Sequence, residues 1–148
     1  MPKAEDDARL KSLLPRGFVS IVRAAVHHAQ KTNMTELEIL RDQLRTFAAE
    51  RDWDQFHSPK NLAAALAVEA AELLENFQWL TDAQSLQLSP DALDAVRAEV
   101  ADVLLYLVRI SDKLGIDPIA AAHAKIALNA AKYPVEKSRG NSKKYTAL

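Results

Sequence analysis

Two pairs of carboxylates sit inside otherwise apolar helical stretches: Glu69 and Glu72 in LAAALAVEAAELLENFQW, and Glu99 and Asp102 in AVRAEVADVLLYLV. Each pair is spaced i,i+3, which on a helix places both side chains on one face. A carboxylate among leucines and valines is costly to desolvate unless it meets a cation, a base or water. Four such acids drawn from two helices form a set of hard oxygen ligands. That set suits magnesium or manganese, with coordination positions left over for phosphate oxygens. The same spacing also describes the solvated face of an amphipathic helix, and a single pair would carry no more than that. Here Leu66, Val68, Leu73 and Leu74 surround the first pair, and Val100, Val103, Leu104 and Leu105 surround the second.

Other polar and aromatic residues fall where they could serve the same site. Tyr106 shares the helix face of Glu99 and Asp102. Lys125, Asn129 and Lys132 follow i,i+4,i+7 spacing on an Ala-rich helix, a doubly basic stripe that could meet phosphate and a base or sugar edge. Alone, that stripe reads equally as an exposed outer face. Trp53, Phe56 and Trp79 flank the first acid-bearing helix; tryptophans near loops can stack on a flat heterocycle, although core packing is their commoner use. Acids, lysines and flanking aromatics together point to a magnesium–nucleotide.

The elements that must position these residues follow from local signals. Ser58-Pro59, Ser89-Pro90 and Asp117-Pro118 each place a capping side chain before a proline at the first helical position. They predict helices running to about Trp79, to Leu114 before Gly115, and to about Lys132 before Tyr133-Pro134. Leu37, Leu40, Leu44 and Phe47 predict an earlier helix over Glu36–Glu50, followed by the polar loop RDWDQFHSP. The expected fold is all-α, a four-helix bundle core with short connections. Residues 1–33 read as an added N-terminal helical segment, and 34–148 as the main domain. His27 and His28 in that segment point about 100° apart on a helix and cannot share a metal on one face.

Composition narrows the function classes. The chain has 148 residues, enough for one domain with a real core, and 49% of them are hydrophobic with only three glycines. Nineteen Lys and Arg against 20 acids give a net charge of −1, which offers no general footprint for nucleic acid. Cysteine is absent, so disulfides, thiol catalysis and thiolate zinc sites are excluded. No apolar run is long enough to span a membrane, and a cytoplasmic location is the expectation. A di-iron carboxylate bundle would need Glu-x-x-His, and neither acid pair continues to histidine.

FAAERDWDQFHSPKNLAAALAVEAAELLENFQWLTD followed by EVADVLLYLV resembles the MazG-like all-α nucleotide pyrophosphohydrolases, in particular their dCTP pyrophosphatase branch. The family pattern is ExxE, a variable spacer and ExxD. The resemblance covers about residues 36 to 148, including the closing SKKYTAL, and leaves out the N-terminal segment. It implies that Glu69, Glu72, Glu99 and Asp102 hold magnesium, with manganese a possible substitute. It further implies that Trp53, His57, Trp79 and Tyr106 shape a nucleotide pocket, and that Lys125 and Asn129 contact substrate. The implied reaction converts a (deoxy)nucleoside triphosphate, dCTP or a related or modified pyrimidine, to monophosphate and pyrophosphate, a nucleotide-pool cleaning activity. A homo-oligomer, tetramer or dimer, is implied as well. Leu44 stands where animal members carry a substrate-facing histidine, a departure that weakens the transfer of their cytosine preference and rate but not of the metal chemistry. Two readings from other classes stand beside this one: a non-catalytic regulator that binds magnesium–nucleotide, and a structural helical oligomer with solvated acids.

Overall fold

The computed structural model describes residues 34–147. The expected N-terminal helical segment, with His27 and His28, lies outside the described residues. The architecture is all-α, without a strand among the described residues: α1 (Glu36–Ala49), a 3-10 turn (Trp53–Gln55), α2 (Pro59–Glu75), a short α3 (Asp82–Ser85), α4 (Pro90–Leu114), α5 (Pro118–Lys132), a short α6 (Val135–Ser138) and a closing 3-10 turn (Tyr145–Ala147). The four long helices are those expected of the core. None of the described helices is long and apolar enough to cross a membrane.

Each long helix begins on a side-chain cap that satisfies amide groups the helix itself leaves unbonded. Thr35 and Glu38 form a reciprocal box at the head of α1: the Glu38 amide donates to Thr35 Oγ1 at 3.3 Å, and the Thr35 amide donates to Glu38 Oε2 at 2.8 Å. Ser58 Oγ accepts from the Asn61 amide, and Ser89 Oγ from the Ala92 amide, each at 3.2 Å. Asp117 Oδ1 accepts from the amides of Ile119 and Ala120 at 2.9 and 3.0 Å. At the far end of α4, Gly115 turns left-handed at φ 64°, a conformation in which a Cβ is strained, and the Ile116 amide closes the helix by donating to the Ser111 carbonyl at 2.9 Å.

The described chain falls into two compact units that divide between Phe56 and His57. In the first, α1 buries Ile39 and Ala48, and its Phe47 ring meets Trp53 edge-on with centroids 5.7 Å apart. In the second, α2 lies along α4, and Leu62 on α2 and Val108 on α4 are buried apolar side chains. The two helices run antiparallel: as α2 proceeds from His57, just before its start, to Glu69, its partners on α4 move back from Arg109 to Asp102 and Glu99.

Three details of the path differ from expectation. Helix α2 stops at Glu75 rather than near Trp79, and Asn76 turns its side-chain amide back onto the Glu72 carbonyl at 3.0 Å. A side-chain amide occupying a carbonyl of the last turn is a local competitor to helix continuation. The connection after Leu80 contains α3, capped by a Thr81–Gln84 box. The polar loop after α1 contains a 3-10 turn entered through Asp52 at φ 52°, a conformation Asp tolerates better than most residues.

Candidate active site: a carboxylate cluster between two helices

The antiparallel register of α2 and α4 decides which acids meet. Glu69 from α2 and Glu99 and Asp102 from α4 each bring a carboxylate oxygen within 4.8 Å of the others. All three are half-buried. Partial burial raises the Glu69 carboxyl above the ordinary glutamate range, and the negative charges of Glu72, Asp102 and Glu99 raise it further, in that order. Glu99 Oε2 is buried with no hydrogen-bond partner. A lone pair removed from water and left unmatched is expensive, and a positive group bound at the cluster would offset that cost.

Those facts test the fit of a divalent metal. The donors are all carboxylate oxygens, the ligand type that magnesium and manganese prefer. They lie close enough to share one ion, and one of them is an orphaned buried acceptor. The residues fit the ion.

Glu72 is not within the close trio. It lies one turn further along α2, on the exposed side of the cluster, near enough to be the largest charge acting on Glu69. Glu75 follows another turn on and is also exposed. Tyr106 sits half-buried on α4, one turn beyond Asp102.

The remaining expected site residues are spread over several elements. Trp79 projects from the turn after α2 and is 86% exposed, which no core role explains. Trp53 belongs to the first unit, where it is 44% exposed and braced by Phe47; the Arg51 guanidinium lies 3.7 Å from the centre of that Phe47 ring. Lys125 and Asn129 are exposed on α5. At the end of α5, Lys132 Nζ lies 5.2 Å from the centre of the Tyr145 ring, and Tyr133 meets Tyr145 edge-on at 5.9 Å. The C-terminal segment that carries Lys143 and Lys144 is thus anchored beside the end of the lysine-bearing helix.

His57 is placed in a way that sequence reasoning missed. Its Nδ1 accepts a hydrogen bond from Arg109 Nε at 3.2 Å, and Arg109 pairs with Asp112 at 2.9 Å. The arginine and aspartate side chains are only 6% and 7% exposed. The i,i+3 placement of Arg109 and Asp112 was visible in the sequence, but the link to His57 depends on tertiary register.

An all-helical chain with a carboxylate cluster between antiparallel helices belongs to a class that known relatives define. The family model described as MazG-like matches residues 64–148. Human dCTP pyrophosphatase 1 is 43% identical over 114 residues, spanning 76% of this chain and 67% of the relative. The rat dCTP pyrophosphatase 1 is 44% identical over 114 residues, with 76% and 67% covered. A crystal structure of a pyrophosphatase from Archaeoglobus fulgidus superposes with a TM-score of 0.65 at 40% identity, covering 68% of this chain and 94% of that one. The chain belongs to the MazG-like family.

Proposed function

We propose that this protein is a magnesium-dependent nucleoside triphosphate pyrophosphohydrolase acting on dCTP or a closely related pyrimidine. Manganese is a chemically reasonable substitute for magnesium. The observation that carries this reading is the convergence of Glu69, Glu99 and Asp102, one of them with an orphaned buried oxygen. The identity shared with dCTP pyrophosphatase 1 supports the same reading.

In this reading Glu69, Glu99 and Asp102 hold the metal, and Glu72 completes the acidic set from the exposed side. When bound, the ion offsets phosphate charge and makes a water more acidic. The protein's own groups do the rest. Glu72 or Glu75, outside the trio, accepts the proton as water adds to the α phosphorus. The bond from that phosphorus to the α–β bridging oxygen breaks, and pyrophosphate leaves. Trp53 and Trp79 offer ring faces to the base. His57 and Tyr106 help to shape the pocket, Lys125 supplies positive charge to phosphate, and Asn129 bonds a polar edge of the substrate.

The working form in this proposal is a homo-oligomer, a dimer or tetramer. Exposed apolar side chains support it, among them Val100, Leu104 and Leu107 on α4 and Ile119, Ile126 and Leu128 on α5. We place the enzyme in the cytoplasm as part of nucleotide-pool maintenance. In this proposal residues 1–33 are dispensable for catalysis, which belongs to the domain at 34–148.

A panel of dCTP, 5-modified dCTP, dUTP, dTTP and CTP, each with magnesium, tests substrate choice. The highest kcat/KM for a cytosine deoxynucleotide supports the proposal. Tight binding of magnesium–nucleotide without turnover would replace it with a regulator, and absence of both would leave a structural oligomer.

A further inference from the structure

Positive charge is unevenly placed along this chain. Residues 61–96, which span most of α2 and the start of α4, carry six acids and neither lysine nor arginine. Five basic residues, Lys132, Lys137, Arg139, Lys143 and Lys144, fall within 132–144, where Glu136 is the single acid. Among the described residues none of these five takes part in an ion pair. A chain with a net charge of −1 thus gathers unpaired cations on one short segment.

That segment is closed on itself. The Tyr133 and Tyr145 rings meet edge-on at 5.9 Å, and Lys132 Nζ lies 5.2 Å from the centre of the Tyr145 ring, so the two ends of the loop are held together. After α6 the chain reverses at Gly140, whose φ of 74° strains any residue with a Cβ. Asn141 then bonds to both arms of the reversal. Its Nδ2 donates to the Lys137 carbonyl at 2.8 Å, and its Oδ1 accepts from the Lys143 amide at 3.1 Å. One side-chain amide therefore ties the backbone of Lys137 to that of Lys143. Holding like charges on one small loop works against their repulsion, which a bound anion offsets. A loop fixed beforehand also loses less entropy on binding.

We propose that the loop 133–145, with Lys132 at its foot, is a polyphosphate site that takes the β and γ phosphates of the nucleotide and then the pyrophosphate product, with Asn141 as its positioning residue. The substrate assignment in this step rests on the proposed function. Three carboxylates against one divalent ion leave the cluster negative, and residues 61–96 add no cation to offset a triphosphate. Cations from elsewhere in the chain must do so. Lys132 follows Lys125 by seven residues on the same face of α5, so the lysine stripe of that helix runs into the loop. A small, multiply charged anion matches a compact group of lysines. A nucleic acid spreads its charge along a strand and is served by a broad basic face, whereas outside 132–144 acids outnumber bases.

The test is calorimetric titration of sodium pyrophosphate into the full chain, in chelator and at low salt, so that no metal at the carboxylates contributes. Wild-type protein is expected to bind pyrophosphate, to bind inorganic phosphate more weakly, and to lose affinity as salt is raised. Lys143→Gln with Lys144→Gln is expected to weaken pyrophosphate roughly tenfold, as loss of two exposed charge contacts implies. Asn141→Ala, which keeps every cation, is expected to weaken it by a smaller factor. Lys60→Gln, outside the loop, is expected to change nothing.

Absence of pyrophosphate binding in the wild type overturns the site, even if the protein hydrolyses nucleotides. An equal loss in Lys60→Gln would reduce the binding to general charge and overturn it too. Wild-type affinity in Asn141→Ala overturns the positioning role. A single-stranded oligonucleotide that binds more tightly than pyrophosphate, and is lost in the double lysine variant, overturns the choice of ligand. With dCTP and magnesium, the double variant is expected to show a raised KM and weaker product inhibition by pyrophosphate. Neither change, beside lost pyrophosphate binding in chelator, overturns the contact with substrate. An inactive wild-type protein that still binds pyrophosphate through the loop removes the proposed function and leaves the anion site standing.

Discussion

Glu69 on α2 and Glu99 on α4 place carboxylate oxygens within 4.8 Å of each other, and Oε2 of Glu99 is buried without a hydrogen-bond partner. Two like charges held that close by separate helices oppose the packing that brings them together. The arrangement makes sense when a cation joins it, and the first prediction follows from that.

Glu69→Ala, Glu99→Ala and Asp102→Ala should each abolish magnesium-dependent hydrolysis. Each should also weaken magnesium or manganese binding by more than the ~10–100-fold typical of losing an outer partner. Glu72→Ala, outside the trio, should lower kcat more than metal affinity. Calorimetric metal titration beside steady-state kinetics separates the two effects. Retention of near-wild-type turnover in any trio variant would remove that residue from the site.

The two tryptophans should behave differently. Trp79 is 86% exposed, so Trp79→Ala should leave the thermal midpoint unchanged and weaken substrate binding by about 1–3 kcal/mol if the ring stacks on a base. Trp53 packs edge-on against Phe47, so Trp53→Ala should in addition cost about 0.5–1.5 kcal/mol of stability. Nucleotide titration and thermal melts of both variants check this. Loss of stability without loss of binding would return Trp53 to a packing role.

How much of this was legible in the sequence depends on how local each signal is. Helix starts at Ser58-Pro59, Ser89-Pro90 and Asp117-Pro118 were legible because a cap and the amides it serves lie within three residues. The short α3 carried a readable signal in Thr81-x-x-Gln84, but its four residues bury no apolar stripe. The end of α2 was obscured because Phe77 and Trp79 extend the apolar pattern after the backbone has left the helix. The i,i+3 spacing showed that each acid pair shares a face. Which three acids converge, and that Arg109 reaches His57, depends on the sliding register of α2 on α4, which no short-range pattern encodes.

The proposed oligomer should depend on α5. Ile119 and Ile126, seven residues apart on one face, are 53% and 64% exposed. Ile119→Asp with Ile126→Asp should shift the sedimentation coefficient toward that of a monomer and leave helical content unchanged. An unchanged assembly would place the interface elsewhere.

The head of α1 should be acid-sensitive. The Thr35 amide and hydroxyl hold the Glu38 carboxyl below the ordinary glutamate range. A carboxylate whose folded value is depressed contributes stability above its unfolded value, and loses it as pH falls through the folded one. Thr35→Ala should cost about 1 kcal/mol at neutral pH. The cost should shrink in acid, where protonated Glu38 no longer completes the box. Urea melts at neutral and acid pH test this, and a penalty independent of pH would assign it to the hydroxyl alone.

The central claim is magnesium-dependent cleavage between the α and β phosphates of a pyrimidine deoxynucleotide. Phosphorus NMR of dCTP incubated with the full chain and magnesium measures it directly. The account predicts that the β and γ resonances of dCTP disappear together, giving dCMP and pyrophosphate in equal amounts. It also predicts that nothing changes when the metal is chelated or Asp102 is replaced by Ala. Appearance of dCDP and inorganic phosphate, or cleavage that persists in chelator, would contradict it.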